Sequence, residues 1–224
     1  DYATVLTVAK CKDALMAGFT TFRDAGSVSE GLKLAFDEGV LPGPRIYPCG
    51  AYISQTCGHG DSEYAHTYRD IQYRHPSSTV LVDGVPEIIR AVREQFYRGA
   101  SHIKLMATEI LNRHEDIRLL FGTDMMITGP DYQVEQSEDI RYYEKRFGTM
   151  RALRALTGTA NEVFALTTYQ NPYPKGKIGV LEAGSYADLL LVDGDPTKSV
   201  SVLADTDHLR LIMKGGTVYK NTLC

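Results

Sequence analysis

The sequence predicts an α/β fold with a parallel sheet, followed by a small antiparallel β unit. Three times in the N-terminal half, a helix-like segment ends at a glycine and continues into a short apolar strand. Repeated units of this kind build parallel sheets. Beyond Gly176 the pattern changes to short strands separated by turns, which favours antiparallel pairing. With 43% hydrophobic and 23% charged residues, the composition is that of a folded domain.

The three helix–strand steps share one feature, a glycine at the end of the helix. Each helix is followed by a glycine, which readily adopts the left-handed conformation that ends helices: Gly18, Gly39 and Gly99. The predicted helices are 3–17, 30–38 and 83–98, and the strands that follow them are 19–24, 45–49 and 101–106.

Residues 51–85, between the second and third steps, show no hydrophobic periodicity. A loop this long inside a compact domain is usually functional or disordered. It contains His59, which stands between two glycines and has a ligand-type side chain. From the residues alone, His59 is either a site residue or an ordinary exposed histidine.

The C-terminal half begins with helices and ends with strands. An exposed helix is predicted over 135–146, then two short helices that break near Gly158, and a linker at 169–176. The sequence therefore divides into residues 1–176 and a β unit of residues 177–224. The predicted strands of this unit are 178–180, 187–192, 209–213 and 217–219, with a hairpin at Gly215-Gly216 and with Leu189, Leu191 and Ile212 buried.

Composition also excludes several classes of protein. A net charge of −4 gives no sign of nucleic-acid binding, and no run approaches the roughly 20 apolar residues of a membrane helix. The four cysteines form no CxxC pair, so a thiolate metal site is not expected and a reducing, cytoplasmic location is the default. The chain opens without Met inside a helix-like segment, and we expect it to be a fragment.

Two side chains stand out at 99–124. Lys104 lies in an otherwise apolar strand, where a buried ammonium costs several kcal/mol or shifts its pKa downwards. Asp124 follows Gly-Thr at the end of a second apolar run, the place where α/β folds put catalytic groups. The alternative is a lysine that reaches solvent at a strand end and an aspartate that caps a loop.

Several segments, in the same order along the chain, resemble the metal-dependent amidohydrolases of the imidazolonepropionase and Xaa-Pro dipeptidase type, including the ochratoxinase-like branch. Gly18-Phe19-Thr20-Thr21-Phe22-Arg23-Asp24-Ala25-Gly26 resembles their second strand, and Phe121-Gly122-Thr123-Asp124 resembles their eighth. The other similar segments are 53–61, 98–107 and 179–216.

The resemblance implies a (β/α)8 barrel of the TIM type with a small antiparallel β-sandwich unit at the C-terminus. It implies that Lys104 is carboxylated by CO2 and bridges two divalent metals, most simply zinc, and that Asp124 binds metal and accepts the proton of the attacking water. The implied reaction uses a hydroxide shared by the two metals to hydrolyse an amide or peptide bond in an N-acyl amino acid or dipeptide. His59 becomes a candidate substrate contact. A homo-oligomer stays open.

The sequence departs from this family in two respects. It contains no HxH pair, and only 19 residues separate Lys104 from Asp124, too few for the units that should lie between the fourth and eighth strands. Strand 1 and strands 5–7 are therefore expected to be missing, the latter between Ala107 and Leu111, so that the chain as written can neither close a barrel nor hold two metals. Three interpretations remain: segments of a longer amidohydrolase, a truncated inactive relative that acts as a binding or regulatory partner, or an unrelated α/β binding protein.

Overall fold

The computed structural model describes residues 2–26, 28–58, 60–61, 79–105, 120–122 and 132–223. They form an α/β fold with a small antiparallel sheet near the C-terminus, as predicted. The chain divides into two compact units. Unit 1 comprises Asp1–Phe22, Ala35–Arg45 and Arg118–Cys224, and unit 2 comprises Arg23–Leu34 and Ile46–Ile117.

Helices and strands alternate in the N-terminal half. In chain order they are α1 (Tyr2–Met16), β1 (Thr21–Arg23), α2 (Glu30–Asp37), β2 (Arg45–Tyr47), β3 (Tyr52–Ser54), β4 (Thr79–Leu81) and α3 (Val85–Tyr97). The three predicted helices are confirmed to within two residues at each end, whereas the first two predicted strands are real but only three residues long. The third predicted strand, 101–106, is represented by a single bridge at Leu105.

The prediction that residues 51–85 lack regular structure is wrong at two places. β3 and β4 lie in this stretch and pair in parallel, with Ile53 opposite Val80. Three-residue strands are too short to show an alternation of apolar and polar side chains, so periodicity could not reveal them.

Unit 2 is held together by backbone hydrogen bonds at its strand ends and by buried apolar side chains, including a small cluster on α3. Ile53, Val82 and Ala91 are buried together, so that α3 packs against β3 and the residue after β4. Backbone hydrogen bonds connect neighbouring segments: Asp24 N–H to Tyr47 O (2.9 Å), Ser101 N–H to Pro48 O (2.7 Å), Ile53 N–H to Lys104 O (2.9 Å) and Val82 N–H to Ser54 O (2.9 Å). The residues that follow β1, β2 and α3 are thereby brought to one place.

Unit 1 contains three further helices, α4 (Tyr132–Phe147), α5 (Thr149–Leu156) and α6 (Gly158–Ala165). The predicted break near Gly158 is confirmed. α4 is not exposed throughout, because Ile140 is buried with Ala152 of α5 and with Val200 and Ala204. None of the described helices combines the length and the apolar character that a membrane span requires.

The antiparallel sheet consists of β5 (Leu189–Val192), β6 (Leu209–Lys214) and β7 (Thr217–Asn221), in that order, and the hairpin at Gly215-Gly216 is confirmed. Ile212 is fully buried, as predicted, and packs with Leu15 of α1. The prediction for Leu191 is wrong, since it is 39% exposed. Leu190 packs on the core instead, which means that the inward face of β5 was assigned one residue out of step.

The predicted strand at 178–180 is not formed. Gly179 has a φ of +77°, and a Cβ built on it would lie 2.5 Å from the carbonyl oxygen of Thr157. The backbone therefore turns at this glycine and passes close to the end of α5, in a conformation that no extended strand adopts.

Candidate active site

Lys104 lies in unit 2, in the segment that follows α3. The helix ends at Gly99, whose φ is +97°, and the chain then runs beside β3. The backbone carbonyl of Lys104 accepts the N–H of Ile53 at 2.9 Å, and the next residue, Leu105, forms a parallel β-bridge with Ile53. The half-buried side chain places Nζ 5.8 Å from the centroid of the Tyr52 ring. The amine therefore lies over an aromatic face.

Asp124 and His59, the other two predicted site residues, lie outside the described residues, as does the segment between Ala107 and Leu111. The expected convergence of Lys104 and Asp124 on one pocket stays a prediction. Of the predicted site, the structure positions Lys104.

Asp24 and Cys49 form a buried pair near Lys104 that the sequence analysis did not select. Their residues are 3% and 0% exposed, and the Cys49 thiol donates to Asp24 Oδ2 across 3.6 Å. The other carboxylate oxygen accepts the N–H of Val28 at 3.2 Å. Burial and then the negative charge of Asp24 raise the pKa of Cys49, while the positive charge of Lys104 acts in the opposite direction. The thiol is therefore protonated at neutral pH, and Lys104 lies near enough for its charge to affect the pKa of Cys49.

His102 braces the same region. Its Nε2 lies 2.9 Å from the backbone oxygen of Asp24, and its Nδ1 lies 3.0 Å from Ser101 Oγ. Burial and the nearby Arg23 lower the pKa of His102 to about 4, so the ring is neutral at pH 7. A neutral ring has one N–H, which we assign to Nε2 because a carbonyl oxygen can only accept. Nδ1 faces the Ser101 hydroxyl, whose single proton has two acceptors at 3.0 Å, Nδ1 and the Pro48 carbonyl oxygen. With both nitrogens engaged, His102 is a brace and is not placed to bind metal.

The turn between β2 and β3 is fixed from below by Gln95 of α3. The buried Gln95 accepts the N–H of Ala51 at 2.9 Å through Oε1. Gly50 has a φ of +67°, and a Cβ at this position would lie 2.5 Å from the same oxygen. Glycine is therefore required at residue 50, and the turn holds Cys49 and Tyr52 at fixed separation.

These side chains give unit 2 a half-buried amine, a buried carboxylate–thiol pair and a neutral imidazole. Among the described residues, no group of three or more His, Cys, Asp or Glu side chains could hold a metal ion. The described part of the chain thus supplies one predicted ligand, Lys104, and not a complete metal site.

The sequence contained a signal for the buried pair. Asp24 and Cys49 each end an apolar strand-like run, which is the pattern that pointed to Asp124. What the pattern could not show is that the two side chains bond to each other, since that requires β1 and β2 to be neighbours.

Comparison with known proteins gives concordant results. The model of the amidohydrolase family matches residues 1–115. Ochratoxinase of Aspergillus niger is 37% identical over 108 residues, which are 44% of this chain and 22% of ochratoxinase. The chain thus spans about a fifth of the length of the curated relatives it matches.

Two solved structures show the same fold. A crystal structure of an amidohydrolase superposes with a TM-score of 0.72 and 21% identity, covering 97% of this chain and 79% of the other. A prolidase complexed with N-methylphosphonate-L-proline superposes with a TM-score of 0.68 and 20% identity, covering 96% and 79%. At these identities the likeness concerns the fold alone.

Proposed function

The chain belongs to the amidohydrolase family, and on that premise we propose that the protein hydrolyses an amide or peptide bond. The observation that carries this proposal is the match of residues 1–115 to the amidohydrolase family, together with 37% identity to ochratoxinase over 108 residues. We propose N-acyl amino acids and dipeptides as the substrate class. A prolidase among the structures of the same fold supports the dipeptide half of that class.

We propose Lys104 and Asp124 as metal ligands, Asp124 also as the group that accepts the proton of the attacking water, and His59 as a substrate contact. The metals would be two zinc ions, which when bound lower the pKa of water and polarise the scissile carbonyl. Lys104 fits this role in one respect, because its half-buried amine stands at the end of a segment paired with β3. The amine would add CO2 and lose a proton, and the resulting carbamate would be an anionic ligand.

The described residues do not complete that metal site. What these residues do is structural. The His102 brace and the Cys49–Asp24 bond fix the strand ends beside Lys104, and Gln95 fixes the turn that follows β2. The proposed division is a (β/α)8 barrel region at 1–176, incomplete in this sequence, with a β unit at 177–224.

The test uses both the 224-residue chain and the longest natural protein that contains it. In the long protein, Lys104→Ala should lose bound metal and activity together, whereas Asp124→Asn should keep much of the metal and lose turnover. Added bicarbonate should aid reconstitution of the wild type and not of Lys104→Ala. Metal is measured by mass spectrometry of the purified protein, and activity on a series of N-acyl amino acids and dipeptides.

Lys198→Ala is the matched control, because that side chain is 84% exposed and its Nζ lies 3.4 Å from Asp195, three residues away. Full metal content and turnover in Lys104→Ala would contradict the proposal. The 224-residue chain should hold no pair of metals, since its sequence has no HxH motif.

The missing HxH motif also favours a second candidate, a catalytically inactive amidohydrolase-like protein that acts as a binding or regulatory partner. The two candidates differ in one measurement. A long protein that carries metal but turns over none of the substrates, while binding them with unchanged affinity in Asp124→Asn, would select the binding protein.

A further inference from the structure

Tyr52, the first residue of β3, occupies a slot that two glycines keep open. A Cβ built on Gly26 would lie 2.4 Å from Cδ1 of the ring, and one built on Gly60 would lie 3.0 Å from Cε2. Gly26 also has a φ of +121°, which disfavours any other residue there. The ring is therefore held from two sides by backbone that cannot carry a side chain without moving it.

The ring held in this way faces the amine of Lys104. Nζ lies 5.8 Å from the ring centroid, within the range of about 6 Å in which a cation is attracted to an aromatic face. The two backbones are fixed to each other, because the residue after Tyr52 donates its N–H to the Lys104 carbonyl at 2.9 Å. Neither the ring nor the lysine backbone can shift independently of the other.

We propose that Tyr52 is a positioning residue, whose ring, wedged between Gly26 and Gly60, holds the Lys104 ammonium in place until it loses its proton and can be carboxylated. The role assigned to the amine rests on the proposed function, whereas the contact between ring and amine stands on the geometry. Tyr52 acts through Lys104 and has no part in the hydrolytic step itself. The part it uses is the aromatic face, so its hydroxyl is dispensable.

The test measures how fast Lys104 is acylated by acetic anhydride in the apo protein, relative to the exposed Lys198, by mass spectrometry of proteolytic peptides. Tyr52→Leu removes the aromatic face, and acetylation of Lys104 should rise about two- to fivefold, the factor that corresponds to one cation–π contact. Tyr52→Phe keeps the face and should label like the wild type.

A second substitution approaches the ring from its other side. Gly60→Ala would place a methyl group 3.0 Å from the Tyr52 ring and 2.7 Å from Cβ of Ser54. Because Ser54 blocks the methyl group on one side, we expect the ring to be displaced and the labelling of Lys104 to rise. Gly31→Ala is the matched control, since a Cβ there meets nothing within 4 Å. Thermal unfolding of each variant shows whether the fold is kept, and rescue by Tyr52→Phe separates positioning from a general structural role.

Equal labelling of Lys104 in the wild type, Tyr52→Leu and Tyr52→Phe overturns the inference. So does a rise in Tyr52→Phe as large as that in Tyr52→Leu. The proposed function fails in a different place: [13C]bicarbonate then gives no carbamate signal in the NMR spectrum of the long protein and does not protect Lys104 from acetylation. The two failures are thus read from separate measurements.

Discussion

At the scale of single residues, the side chain of Glu144 in α4 accepts five hydrogen bonds. It accepts from the hydroxyls of Thr149, Ser199 and Ser201 and from the N–H groups of Val200 and Ser201. Burial by itself would raise the pKa of Glu144, but the hydrogen bonds outweigh it and lower the pKa to about 2. The carboxylate thus joins α4 to the short helical turn at Val200–Ala204.

This arrangement predicts a pH dependence of stability. Because the folded pKa lies below the ordinary value of 4.5, the unfolded chain takes up the proton first, and the contribution is lost as the pH falls from about 4.5 to 2. Glu144→Gln should lower the free energy of unfolding at pH 7 by about 1–3 kcal/mol and flatten its acid dependence. Urea unfolding at several pH values measures both, with the exposed Glu38→Gln as control. An unchanged acid slope would contradict the assignment.

Some residues of the candidate site could be predicted from the sequence and others could not, for reasons that differ from residue to residue. Lys104 was found because a charge inside an apolar run is costly, a signal that depends on no neighbour. Asp24 and Cys49 were missed because their bond is a fact about two strands that are 25 residues apart. His102 stands two residues before Lys104, yet the sequence could not reveal that its ring reaches the Asp24 carbonyl. Contacts of this kind depend on which strands are neighbours in the fold, and a single sequence does not reveal that.

At the scale of elements, an ion pair joins the start of β2 to the residue before β5. Arg45 Nη1 and Asp188 Oδ2 are 2.5 Å apart, and the two side chains are only 7% and 8% exposed. The guanidinium also lies 4.2 Å from the centroid of the Tyr186 ring, and Asp188 accepts the N–H of Gly215 at 2.8 Å. One buried carboxylate therefore holds both an arginine and the β6–β7 hairpin.

Removing that carboxylate leaves a buried cation without its counter-charge. We expect Asp188→Asn to lower the free energy of unfolding by about 3 kcal/mol. The exposed pair of Lys177 and Glu182, with side chains 60% and 49% exposed, provides the control, and Glu182→Gln should change stability by less than about 1 kcal/mol. Denaturant unfolding of the two variants compares them directly. Equal, small effects would show that the Arg45 pair is solvated in solution.

A helix or strand could be predicted when it was long enough for its pattern of apolar residues to repeat. α3 spans more than three turns, and its apolar face and terminating glycine were visible in the sequence. β3 and β4 have three residues each and no repeat to read. β5 was placed correctly but its face was not, since Leu189 to Val192 is apolar throughout and gives no alternation to decide between Leu190 and Leu191.

At the scale of the whole molecule, the family could be identified because several short motifs occur in the family's order. The same comparison exposes the limit of the sequence: it contains no HxH pair, and only 19 residues separate Lys104 from Asp124. The division at residues 176 and 177 stays a prediction. The structure groups α1 and α4–α6 with the C-terminal sheet in one compact unit.

The natural cysteines can report local opening without any engineered residue. Cys11 is buried in unit 1 and Cys49 in unit 2, while Cys57 is exposed. Under native conditions a thiol reagent should modify Cys57 at once, whereas each buried thiol can react only when its own unit opens. Site-resolved mass spectrometry of the modification rates would give one opening free energy for each unit. Modification of Cys11 and Cys49 as fast as that of Cys57 would contradict their burial. Unequal protection of the two buried thiols would show which unit opens at the lower free energy.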